Sequence, residues 1–161
     1  MLSIFIKMMA LLCQITWSIF TIFITMKMAI YIELKIVFIQ VVDESFELVI
    51  ADLCIHYFRE KDTIKNIDEI RRVLKDGGHL IFRVNLIHDV NHGAGKGTDI
   101  EPHLFETSDG RLKRFFDDED AKSFFKDFHI EYLNEKIMTR YELKKRLYRG
   151  CVKKYEKENT L

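Results

Sequence analysis

Hydrophobic and polar positions follow different rules on the two sides of Val42. Met8 to Met26, MMALLCQITWSIFTIFITM, is an uncharged run of 19 residues. As a helix rising 1.5 Å per residue it would reach about 28 Å, close to the thickness of a bilayer core. Tyr31 to Val42, YIELKIVFIQVV, is dominated by β-branched and aromatic residues and predicts a strand. Beyond it, Phe46 to Asp52 is a short apolar run closed by a carboxylate, the pattern of a buried parallel strand. Asp62 or Thr63 is expected to cap a helix in which Ile64, Ile67, Ile70, Val73 and Leu74 recur at three- and four-residue spacing. Lys75-Asp76-Gly77-Gly78 should end that helix, the glycines supplying the positive φ of a C-cap, and His79 to Val84 follows as a second buried strand. Such a strand-helix-strand unit places its two strands parallel in one sheet. Arg111 to Phe116 predicts a short strand. Asp117 to Asp120 open a helix whose apolar face includes Ala121, Phe124, Phe125 and Phe128, and His129 to Met138 and Leu147 to Val152 predict a closing antiparallel pair. The fold class is α/β.

Composition divides the chain at the same place. Residues 1–42 carry only Lys7, Lys27, Glu33 and Lys35 as charges, whereas the whole chain of 161 residues balances 25 Lys+Arg against 25 Asp+Glu. The chain therefore reads as a hydrophobic segment, 1–42, followed by a polar-surfaced unit, 43–161. Two readings of the first segment stay open. One is a transmembrane helix over 8–26 that anchors a cytoplasmic unit. The other is translated A/T-rich upstream sequence, which would be rich in Ile, Phe, Met and Lys without selection to span a membrane. Zero formal charge disfavours a general nucleic-acid binder. Cys13, Cys54 and Cys151 lack disulfide-framework or zinc-ligand spacing.

The segments DESFELVIADLCIHYF and EIRRVLKDGGHLIFRVN resemble the middle and later motifs of class I S-adenosylmethionine-dependent methyltransferases. The resemblance runs from Asp43 to about Lys154. It implies a partial Rossmann-like methyltransferase sheet with flanking helices, here preceded by the N-terminal hydrophobic helix. It also implies S-adenosylmethionine as cofactor and an unidentified methyl acceptor as partner. Ala51, Asp52 and Leu53 match the end of the family's fourth strand and are the cofactor-binding candidates. The family's glycine-rich first turn should lie ahead of Asp43, but the first glycine of the chain is Gly77. The resemblance thus covers the carboxyl-terminal half of such an enzyme, its truncated state leaves autonomous activity in doubt, and the apolar edge of its fourth strand should lie open. The alternative is a non-enzymatic half-domain, tethered to a membrane or dependent on another chain for the missing half.

Other candidate residues are sparse. His56 and Tyr57 follow the strand end and are the acid-base or acceptor-lining candidates. A satisfied, partly buried packing histidine is the favoured reading of His56, and packing is favoured for Tyr57 and Phe58. His92-Gly93-Ala94-Gly95-Lys96-Gly97-Thr98 contains a glycine-lysine core, but Val90 stands where a phosphate loop needs glycine, and Asp99, Glu101 and Pro102 follow where it needs a helix. A flexible lid explains it better. His88, His92 and His103, with Asp89, Asp99 and Glu101, have no diagnostic metal spacing, so no metal is expected. Arg111, Lys113 and Arg114 are expected on a solvated strand face.

Overall fold

A computed structural model describes residues 22–24, 42–139 and 142–157. The elements are β1 (Ile22–Ile24), β2 (Phe46–Asp52), α1 (Glu60–Val73), β3 (Leu74–Asn85), a 3-10 turn (Val90–His92), β4 (Thr98–Glu101), β5 (Leu104–Glu106), β6 (Leu112–Arg114), α2 (Asp118–Phe124), β7 (Phe128–Met138) and β8 (Lys145–Lys154). Five strands form one sheet in the order β1-β2-β3-β8-β7, and β4-β5-β6 form a second, smaller one. β2 and β3 are parallel, with Ile50 opposite Ile81 and Asp52 opposite Arg83. The α1 crossover between them completes the expected strand-helix-strand unit. β8 lies between β3 and β7 and is antiparallel to both.

Several sequence expectations are corrected. Residues 22–24 lie inside the run expected as a helix over 8–26, yet they form β1 and pair antiparallel with β2. That pairing also covers, from Val49 to Ala51, part of the β2 edge expected to lie open. The rest of that run and residues 31–41 of the expected Tyr31–Val42 strand fall outside the described residues, and among the described residues no helix is long and apolar enough to cross a membrane. Helix α1 starts earlier than expected. Arg59 is its N-cap, without a side-chain cap bond, and neither Asp62 nor Thr63 fills that place. Ile64 is exposed; Thr63, Asn66, Ile67, Ile70 and Val73 form the buried face. The helix ends on extended Leu74 rather than on a glycine. Gly77, at φ 73°, instead sits in an irregularity where β3 gains residues relative to β2 between Leu74 and His79. Left-handed backbone favours glycine there.

The core lies between the sheet and its helices, with Val49, Ala51, Leu80, Phe82, Val84 and Val152 from the strands meeting Ile67, Ile70 and Phe125. Alternation along β2 and β3 places these side chains on one face. The Phe82 and Phe125 rings stack with centroids 4.1 Å apart. Helix α2 opens at the expected acidic start, where Asp117 and Asp120 form a reciprocal capping box.

The glycine-rich segment leads into the β4-β5-β6 sheet, where Gly97 at φ 110° packs so tightly on Glu106 that a Cβ would meet its carbonyl oxygen at 2.3 Å. Arg114, expected in solvent, is buried. It bonds Glu101 Oε2 at 2.5 Å and the Pro102 carbonyl at 3.1 Å. Glu101 also accepts the Glu60 backbone N–H at 2.8 Å, so the insertion supplies the helix-start acceptor that Arg59 lacks. Burial pushes the Glu101 pKa up, but the Glu60 N–H and Arg114 outweigh it and hold the carboxyl below its ordinary value.

Gly150 in β8 underlies the Phe82 ring, and a Cβ there would meet ring atoms at 2.3 to 3.0 Å. Gly150→Ala should displace Phe82 from Phe125 and destabilise the fold by about 1–3 kcal/mol. Urea unfolding of the variant checks this, an unchanged midpoint contradicting the packing account.

Candidate functional site

The carboxyl ends of β2 and β3 lie side by side, which is where open parallel sheets collect ligands. Two features occupy this end. The first is a crevice of about 370 Å³ whose wall includes Ala51, Asp52, Arg83 and Arg149. Asp52 pairs with Arg83 through both carboxylate oxygens, with Arg83 Nε to Asp52 Oδ1 at 2.5 Å. Arg83 Nη1 also lies 3.4 Å from Met138 Sδ. Leu53 then adopts left-handed backbone, φ 51°, and its N–H donates to the Arg83 carbonyl at 3.0 Å. This turn is how the chain leaves the strand while staying bonded to its neighbour. Of the cofactor candidates, Ala51 is fully buried in the core, while Asp52 and Leu53 are part-exposed.

The second feature is a buried polar group under the loop after β2. His56 is 1% exposed. Its carbonyl accepts the Arg114 N–H at 2.7 Å, and its ring lies 4.1 Å from that of Tyr57. The expected satisfied, partly buried histidine is corrected in both respects, since burial is complete and Nδ1 has no hydrogen-bond partner among the described residues. Burial first, then the Lys145 and Lys113 ammonium groups, hold its pKa well below the ordinary value. Tyr57 is 39% exposed, and Phe58 packs on the core. Cys54 is buried beside them, and burial pushes its thiol pKa far up, so it is not a thiolate nucleophile.

Sequence reasoning missed the residues around His56. Lys145 is buried and bonds Asn85 Oδ1 at 2.6 Å and Asp89 Oδ2 at 3.2 Å. Lys113, expected in solvent, is half-buried and donates to the His92 carbonyl. A lysine among the lysines and arginines of Lys144 to Arg149 gives no local signal of burial, because its partners lie 56 and 60 residues away. The histidines and acids weighed as metal ligands are dispersed. His92 Nδ1 meets Asp89 at 3.0 Å, Glu101 holds Arg114, and His103 Nδ1 meets Asp120 at 2.6 Å. His103, Asp117 and Asp120 do lie together, but the two carboxylates form the α2 capping box.

Residues 26–82 match a methyltransferase domain family model. No curated protein matches the chain. Among solved structures, an S-adenosylmethionine-dependent methyltransferase from Methanosarcina mazei is similar over 74% of this chain and 64% of its own, with TM-score 0.62 and 18% identity. The 1,6-didemethyltoxoflavin-N1-methyltransferase of Burkholderia thailandensis, solved with 1,6-didemethyltoxoflavin and S-adenosylhomocysteine, is similar over 71% of this chain and 46% of its own, with TM-score 0.53 and 14% identity. An S-adenosylmethionine-dependent methyltransferase from Mesorhizobium loti matches over 71% and 64%, with TM-score 0.51 and 14% identity. This chain spans less than two thirds of the length of each of these proteins. At such identities the likeness is one of fold.

A neutral buried His56 sets a pH dependence. The unfolded chain binds a proton on this histidine below about pH 6.5, its ordinary value, and the folded chain does not. Its contribution to stability should be complete above that pH and fall away as pH drops from there toward the depressed folded value. Urea unfolding between pH 4 and pH 8 is expected to show this loss and His56→Gln to flatten it; equal pH slopes for the two proteins would contradict the assignment.

Proposed function

We propose that this chain, whose motifs and fold are those of class I S-adenosylmethionine-dependent methyltransferases, takes part in methyl transfer to a small-molecule acceptor. The observation that carries this reading is the parallel β2-α1-β3 unit. Its strand ends open onto the Asp52 crevice, and the family model matches β2, α1 and β3 as far as Phe82. The crevice volume lies within the range of small-molecule sites. Arg149 on its wall suits the carboxylate of the cofactor's methionine moiety, and Asp52 suits its ammonium group. Ala51, Asp52 and Leu53 would hold that moiety, with Arg83 fixing the Asp52 rotamer.

The cofactor, when bound, supplies an electrophilic methyl group on a sulfonium. The chain's own residues then have to orient the acceptor and keep water away. Tyr57 is the reachable member of the His56-Tyr57 pair, and the buried imidazole beneath it fixes its ring. With its pKa held down and its ring buried, His56 is no general base, which suits an acceptor that attacks through a free lone pair.

A second reading is that cofactor binding needs residues from another chain. It is favoured by the absence of any glycine ahead of Gly77, since the family's close backbone approach to the cofactor uses one. Calorimetric titration with S-adenosylmethionine and S-adenosylhomocysteine separates the two. Saturable heat from the chain, weakened about tenfold or more in Asp52→Ala, supports autonomous binding. No heat from a folded chain sinks it and leaves the partner-dependent reading.

A further inference from the structure

The polar group at the junction of β3 and β8 carries more positive charge than its own carboxylate can balance. Asp89 is fully buried, and it is engaged on both oxygens by Lys145 Nζ, the Arg146 backbone N–H at 2.9 Å and His92 Nδ1. Lys113 adds a second ammonium that makes no salt bridge among the described residues. Burial, then the Lys145 charge, push the Lys113 pKa down to about 8. Beside Lys145, the Asn85 amide nitrogen is buried without an acceptor among the described residues. An unsatisfied amide and an uncompensated cation are both costly in a folded interior.

Asp89 also forms part of the wall of a cavity of about 570 Å³, together with His88, Asn91, Lys144 and Arg146. It is the only acidic group on that wall among the described residues. Lys144 and Arg146 are exposed, make no salt bridge among the described residues, and face a cavity whose one carboxylate is already saturated. A concave wall of one charge sign concentrates ions of the other. His88 adds hydrogen-bonding capacity of the kind that orients a polar ligand, while Asn91 Nδ2 donates to the Lys144 carbonyl at 3.0 Å and holds that residue at the wall.

We infer that this cavity is an oxyanion subsite, taking the carboxylate or phosphate group of a small molecule against Lys144 and Arg146, with Lys145 and Lys113 behind them. It lies at the same end of the sheet as the Asp52 crevice, four residues further along the chain from Arg83 to Ile87. Identifying that molecule as the methyl acceptor rests on the transferase reading; the anion site does not.

The full chain is to be titrated with acetate and with inorganic phosphate in excess chloride, following the Asn91 and Arg146 backbone amides by NMR. Saturable shifts are expected with at least one anion; tighter acetate marks a carboxylate ligand and tighter phosphate a phosphoryl one. The Lys144→Ala/Arg146→Ala double variant should bind about tenfold or more weakly, the loss of a charge-assisted hydrogen bond, while Lys122→Ala, remote on α2, should match the parent. Asn85→Asp, which places an internal carboxylate beside Lys145, should weaken the anion similarly while staying folded. Absence of saturation with both anions, or unchanged affinity in the folded double variant, overturns the proposal. S-adenosylhomocysteine titration of that double variant should match the parent, so failure of the anion site and failure of the cofactor site read differently.

Discussion

The buried Asp89 carboxylate decides how the carboxyl end of the sheet is assembled. It binds the Lys145 ammonium and the Arg146 N–H at the start of β8, from a loop that has just left β3. The Leu86 N–H adds a bond to the Arg146 carbonyl at 3.4 Å. An ion pair buried this deeply gains little net stability over an apolar replacement, yet losing one partner would leave a charge uncompensated in the core. Its value is therefore positional. It fixes where β8 enters the sheet, and with that the register placing Gly150 opposite Phe82. The Phe82 ring can lie over that strand only because residue 150 has no side chain.

The insertion is fixed by the same kind of chemistry at a second point. Glu101 joins the buried Arg114 to the first turn of α1, so one carboxylate serves both a strand of the small sheet and the helix start. The Phe115 N–H donates to the His103 carbonyl at 2.8 Å, and His103 in turn meets Asp120 at the α2 capping box. The insertion therefore contacts both helices and the loop bearing His56.

What was legible in the sequence is what local pattern controls. Phe46–Asp52 shows its burial in its apolar run, α2 its start in the acids from Asp117, and the two closing strands appear where they were expected. The α1 start was misplaced because its acceptor, Glu101, is remote in sequence. Gly77 and Gly78 looked like a C-cap, but the backbone turned extended at Leu74 before reaching them. Ala51, Asp52 and His56 stood out as candidates because a strand end marks them in the sequence. Lys113, Lys145 and Asn85 were not, since nothing in a charged strand or loop tells which ammonium is buried until the topology brings its carboxylate to it.

The strand order has a consequence for how the chain is made. β3 can bond its neighbour β8 only after the 60 residues that follow Asn85, up to Lys145, have been synthesised. At a ribosomal rate of about 5–20 residues per second, that leaves the β3 edge uncovered for roughly 3–12 s. During that interval β2, α1 and β3 can already be in place, with Leu80, Phe82 and Val84 awaiting their cover. The nascent chain is then an open sheet that any other β-strand can extend, so the interval before β8 emerges is when a chaperone has most to contribute.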